Sequence, residues 1–143
     1  MFRNAVTLFN YDEEENIYYP TLLESVELQP NYRTEFTDDG TRSKDLALLI
    51  VRYDKDSSGK FIFESSKIKY FTNPKLWNDF TTDNKSTYFT LKPGEYDFFI
   101  KGDYTSETDV NYEVFKNTYD EIFLIHGVKD FEDDLKHWEI EGY

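Results

Sequence analysis

The sequence contains no cysteine, which excludes a disulfide framework, a thiolate zinc site and a cysteine nucleophile, and suits a reducing compartment such as a cytoplasm. Positive charge is scarce. Sixteen Lys and Arg stand against 29 Asp and Glu, a formal net charge of -13. The carboxylates run along the whole chain, and no basic stripe is present to displace counterions from phosphate, so specific nucleic-acid binding is not expected. No apolar run approaches the roughly 18 to 20 residues that span a bilayer. The opening MFRNAVTLFN lacks the apolar stretch of a signal peptide, so the chain is expected to be neither exported nor membrane-embedded by its own signals. GxGxxG, P-loop, GxSxG and HExxH elements are missing too, as are internal repeats and low-complexity tracts.

What is present is a core. Hydrophobic residues make up 38% of the 143 positions and aromatic residues 19%, more than a disordered segment carries. The length fits one domain over residues 1–143, with no need of metal or disulfide support.

Turn residues divide that domain into short strands. Asn4 to Tyr11 reads as a strand, closed by the acidic turn of residues 12–16, with Ile17 to Leu28 as its hairpin partner and Pro30 as the stop. Gln29 to Lys44 is polar, offers a turn at Asp38, Asp39 and Gly40, and is expected to be a long protruding loop. DLALLIVRY, residues 45–53, is apolar on both faces and suits a central strand. Lys60 to Glu64 and Lys67 to Phe71 suggest a hairpin. Asn73 followed by Pro74 is a helix start, with the helix running to about Phe80. Tyr88 to Leu91 and Tyr96 to Lys101 flank a Pro-Gly turn and are expected to pair. A second short helix is placed within residues 106–116, a strand over residues 121–128 broken at Gly127, and an edge strand over residues 135–140. The expected fold is mainly β, a barrel or sandwich of SH3-like or related type, with two short helices and a long loop.

Candidate chemistry is sparse. Residues 54–59, DKDSSG, begin like a calcium-binding EF-hand loop, but the twelfth position is Ser65 while Glu64 falls one early, so a charged hairpin turn is the better account. His126 and His137 lack zinc-ligand spacing. Carboxylates are too numerous for any pair to mark a glycosidase. No cofactor or catalytic activity is expected. Tyr32, Arg33 and Phe36 in the long loop are candidate partner contacts, with folding back onto the domain as the alternative. A carbohydrate-binding module is the rival reading, because exposed aromatics beside acids can hold sugars. Trp77 and Trp138 fall far apart for that purpose, and Trp138 is retained as a further interface candidate.

Three segments carry a resemblance: NAVTLFNYDEEENIYYPTLLESVEL, residues 4–28; STYFTLKPGEYDFFIKGDY, residues 86–104; and YDEIFLIHGVKDFEDDLKHWEIEGY, residues 119–143. In order and spacing they resemble a family of small neck-region proteins from phages and prophages of Gram-positive bacteria. HWEIEG joined to EIFLIHGV weighs most. Asp133 and Asp134 depart from the small turn residue of that pattern. The resemblance implies a virion structural protein, a head-to-tail connector of head-closure or stopper type. Such a chain would form a homo-oligomeric ring, twelvefold by resemblance, between portal or adaptor and tail proteins. DNA would pass through a carboxylate-lined bore without specific binding, and no membrane would be involved. A tail-terminator ring is the nearest alternative, and the long loop would project into the channel or clasp a neighbour.

Overall fold

The computed structural model describes residues 4–36, 42–133 and 135–143, with side chains for residues 5–30, 46–133 and 135–143. The expected turn at Asp38 to Gly40 and the departure at Asp134 lie outside the described residues. The fold is mainly β. Ten strands and three short helices are described: β1 (Asn4–Asp12), β2 (Ile17–Phe36), β3 (Arg42–Arg52), β4 (Asp54–Asp56), β5 (Gly59–Glu64), β6 (Lys67–Phe71), α1 (Pro74–Asn78), α2 (Thr82–Thr87), β7 (Tyr88–Phe89), β8 (Phe98–Lys101), α3 (Tyr112–Thr118), β9 (Ile122–Phe131) and β10 (His137–Gly142).

Six strands close into a barrel in the order β1-β2-β3-β10-β9-β8, and β4-β5-β6-β7 form a side sheet. The barrel pairs are antiparallel. Alternation along the strands sorts side chains to two sides. Leu8, Leu23, Val26, Leu49, Val51, Phe99, Ile125, Trp138 and Ile140 join the main core, with Phe89, Leu91 and Ile62 added from the side-sheet region. Phe9, Phe98 and Ile100 face the other way and pack under Tyr112 and Phe115 of α3. The sequence Phe98-Phe99-Ile100 therefore feeds two cores from one strand.

Local expectations hold where the signal is local. β1 and β2 form the expected hairpin, from Asn4 opposite Val26 to Asp12 opposite Ile17. β3 is the apolar central strand, with Leu46, Ala47, Leu48, Leu49 and Val51 buried. β5 and β6 pair as expected, and α1 starts at the Asn73 cap, whose Oδ1 accepts the Leu76 N–H at 2.9 Å.

Other expectations are corrected. Tyr88–Phe89 does not pair with β8. It lies parallel to Tyr70–Phe71 in the side sheet, while β8 sits in the barrel between β1 and β9. The Pro-Gly turn therefore carries the chain from one sheet to another. α2 was not foreseen, and α3 starts at the Asn111 cap rather than near Ser106. Gly127 does not end β9, because Glu141 pairs with it and the ladder runs on to Phe131. β10 is no edge strand: it is hydrogen-bonded to β3 on one side and β9 on the other.

The expected long loop at residues 29–44 is strand on both arms. After Gln29 opposite Leu48 the register shifts, then Arg33, Thr34, Glu35 and Phe36 pair with Leu46, Asp45, Lys44 and Arg42. Pro30 falls inside that irregularity, where its missing N–H breaks no ladder bond.

Candidate functional site

Among the described residues, the densest buried polar network lies at the barrel end where β1 runs into the acidic turn. Asn10, Asp12, Lys85, Thr90 and Asp97 are all buried there. Asn10 Nδ2 donates to the Thr90 carbonyl at 2.8 Å and its Oδ1 accepts the Thr90 N–H at 3.2 Å, so the amide orientation is set by the backbone it reads. The same Nδ2 donates to Asp97 Oδ2 at 2.9 Å. Asp97 Oδ1 accepts the Tyr11 N–H at 3.0 Å and lies 3.8 Å from Lys92 Nζ. Burial pushes the Asp97 carboxyl up to about 6, against the opposing pull of Lys92 and of its hydrogen bonds.

Asp12 organises the turn. Its Oδ1 accepts the Glu14 N–H at 3.1 Å, and its Oδ2 meets Lys85 Nζ at 3.0 Å. Lys85 Nζ also lies 5.3 Å from the centroid of the buried Trp77 ring. Burial works against ionised Asp12, but the Lys85 contact and the backbone donors hold its carboxyl below the usual range. A recess of about 430 Å³ opens over this network, lined in part by Glu13, Glu14, Lys92 and Glu95. Both Asp97 oxygens are engaged by Asn10 and Tyr11, so the network locks the turn against the barrel.

A second buried cation, Lys69, donates to Thr21 Oγ1 at 2.7 Å and to the Pro20 carbonyl at 3.1 Å, with Glu64 Oε1 at 3.9 Å. Burial lowers its pKa. Three oxygens around three N–H donors describe a structural tie between the side sheet and β2. The strained turn beside it, with Ser65 at φ 51° and Ser66 at φ 72°, is the two-residue β5–β6 connection, whose twist suits positive φ at both positions. Ser65 N–H is anchored on Glu24 Oε1 at 2.7 Å.

The residues singled out from sequence are scattered. Tyr32, Arg33 and Phe36 stand on β2 in the ribbon beyond the barrel, and their side chains lie outside the described residues. Trp138, the further interface candidate, is 1% exposed and packs against Tyr53, Phe71 and Phe89. Its ring belongs to the core because β10 closes the barrel. Trp77 is fully buried as well, so the tryptophan face that a sugar-binding module would use is not formed. Residues 54–59 form the β4–β5 hairpin, in which Asp56 accepts from the Ser58 N–H and the Tyr70 hydroxyl. His126 packs edge-on against Tyr143, and His137 stacks on Phe131.

Asn10 and Asp97 were not singled out in the sequence. The available signal was a lone acid, Asp97, set directly against the apolar run Phe98-Phe99-Ile100, and a lone amide, Asn10, after Leu8-Phe9.

The fold and its contacts define a small antiparallel barrel with a side sheet and a two-stranded ribbon. The chain belongs to the family of unknown function DUF6751, whose model matches residues 1–143. No curated protein and no solved structure matches it.

Proposed function

We propose that the protein is a structural subunit of the bacteriophage neck, a head-closure or stopper-like ring component that links the portal or adaptor to the tail. The observation that carries this reading is the ribbon. Among the described residues, pairing of β2 with β1 reaches Val26, and pairing of β3 with β10 reaches Ala47. Beyond those points, among the described residues, β2 and β3 pair only with each other, out to Phe36 opposite Arg42. A two-stranded ribbon is marginal in water by itself. Its open edges offer backbone donors and acceptors to another chain. A head-to-tail contact of this kind closes into a ring when the rotation between copies permits.

The likeness of residues 4–28, 86–104 and 119–143 to phage neck proteins supports the same reading. The acidic balance also suits a bore through which DNA slides.

The test replaces residues 31–45 with a short Gly-Ser turn. The variant is expected to remain folded, because the barrel pairs of β2 and β3 are kept, yet to fail to enter rings or virions. Normal assembly by this variant would refute the ribbon's role. Electron microscopy of the wild-type chain with its virion addresses the assignment itself. Density beneath the portal supports it, density at the tail end favours the terminator alternative, and absence from the virion rejects both.

A further inference from the structure

A different face of the molecule carries a second, independent inference. On the solvent side of the barrel end, Tyr96 is 46% exposed and stacks on Tyr11, with ring centroids 5.0 Å apart and planes at 17°. Tyr11 leans on Tyr18 at 4.7 Å, and Tyr18 packs by its edge on Phe98 at 5.3 Å. Tyr18 donates its hydroxyl to the Tyr96 carbonyl at 3.1 Å, and Tyr11 hydrogen-bonds Asn16. The outermost ring is thus backed by a column of rings reaching the core, and one face is left to solvent.

Tyr96 and Glu95 form the wall between two recesses. One is the recess over Asp97. The other, about 310 Å³, is lined by Tyr11, Tyr18, Asn111, Tyr112 and Glu113. The two lysines at the first recess are already engaged, Lys85 by Asp12 and Lys92 by Asp97. Glu13, Glu14, Glu95 and Glu113 are exposed, and among the described residues none of them makes an ion pair. Four uncompensated carboxylates therefore surround a preorganised aromatic ring. Tyr112 forms part of the floor of the second recess: it is only 9% exposed, and Lys116 Nζ stands 5.7 Å from its ring centroid.

We propose that this face binds a cationic segment of a partner protein, with an arginine guanidinium stacked on the open face of Tyr96 and bonded by Glu95 or Glu113. The chemistry selects arginine. A planar, weakly hydrated cation can stack on a tyrosine ring while its edge donates two bonds to one carboxylate. A neutral sugar could stack on Tyr96 but would leave four like charges facing one another. The inference does not depend on the neck assignment.

The experiment is titration of the full chain with the capped hexapeptide (Gly-Arg)3, read by two-dimensional NMR of the tyrosine rings and by calorimetry. Expected is saturable binding that shifts the Tyr96 ring signals and weakens as salt is raised from about 20 to about 200 mM. Tyr96→Ala and Glu95→Gln/Glu113→Gln should each weaken it about tenfold. Both changes fall on exposed side chains, and thermal melting checks that the fold is retained. No saturable binding would overturn the proposal, as would binding unchanged in both variants, which is bulk attraction to an acidic protein. Equal affinity for spermidine, or preference for cellohexaose, would overturn it too.

Discussion

Asp97 offers the sharpest test of the structure, because its environment fixes both the sign and the size of a pH effect. The ordinary carboxyl value of 3.8 is raised to about 6, chiefly by burial. Between those values the native state holds a proton that the unfolded chain has released, so stability falls as pH rises. The contribution is fully present below about pH 4 and lost by about pH 7. A shift of roughly two units corresponds to about 3 kcal/mol. Asp12, Asp56, Asp103 and Glu132 are all held below their ordinary values, and they oppose this trend by losing stabilisation as pH falls. The wild-type profile alone therefore mixes two signs.

The difference between wild type and Asp97→Asn isolates the group. The variant also loses a hydrogen bond, because position 97 faces two donors, Asn10 Nδ2, whose orientation Thr90 fixes, and the Tyr11 N–H, while an amide replaces one of the two acceptor oxygens with an NH2 group. That loss costs about 1 to 3 kcal/mol at every pH, which displaces the difference curve without tilting it. Urea unfolding at pH 4 to 8, followed by fluorescence of the buried Trp77 and Trp138, should show the wild-type advantage shrinking by about 3 kcal/mol across the range. A flat difference would refute the buried-acid account.

Two further substitutions test the packing. Lys85→Met keeps an apolar contact with Trp77 but leaves Asp12 at 4% exposure without its cation. A loss of about 3 kcal/mol is expected in urea unfolding, with Asp12→Asn in the same chain restoring part of it, whereas a loss under about 1 kcal/mol would show the pair to be dispensable. Gly142→Ala would place a methyl 2.6 Å from Phe99 Cζ and 2.7 Å from Phe123 Cβ at the seam of β10 and β9. It should cost about 1 to 3 kcal/mol through overpacking, and an unchanged unfolding midpoint would mean that Phe99 moves aside freely.

What could be read from the sequence was what neighbouring residues decide. The β1–β2 hairpin, the buried β3, the β5–β6 hairpin and the Asn73 cap each follow from alternation, turn chemistry or a hydrogen bond within three residues. Sheet membership was not legible. The Pro-Gly turn marks a change of direction, but Tyr88–Phe89 finds its partner at Tyr70–Phe71, eighteen residues back. β10 has the same alternation whether it lies at an edge or inside a closed barrel. Closure is decided by β3 and β9 arriving on either side. The buried Asn10–Thr90–Asp97 network unites positions about eighty residues apart, so no spacing rule could announce it.

The ribbon was missed for a different reason, which bears on its role. A strand read from sequence is recognised by the face it buries, and residues 29–44 show no such alternation. Their strand conformation is inherited: the register set by Val26 opposite Val51 and Gln29 opposite Leu48 in the barrel continues outward, through two irregularities, to Phe36 opposite Arg42. A two-stranded ribbon has little stability of its own in water, which is why the proposed role gives it a contact with a neighbouring chain. The charge distribution points the same way. Arg33, Arg42 and Lys44 balance Glu35, Asp38 and Asp39, so residues 29–44 are neutral and the whole net charge of -13 resides elsewhere. When two copies approach, the ribbon is the extended backbone edge that brings no net repulsion of its own.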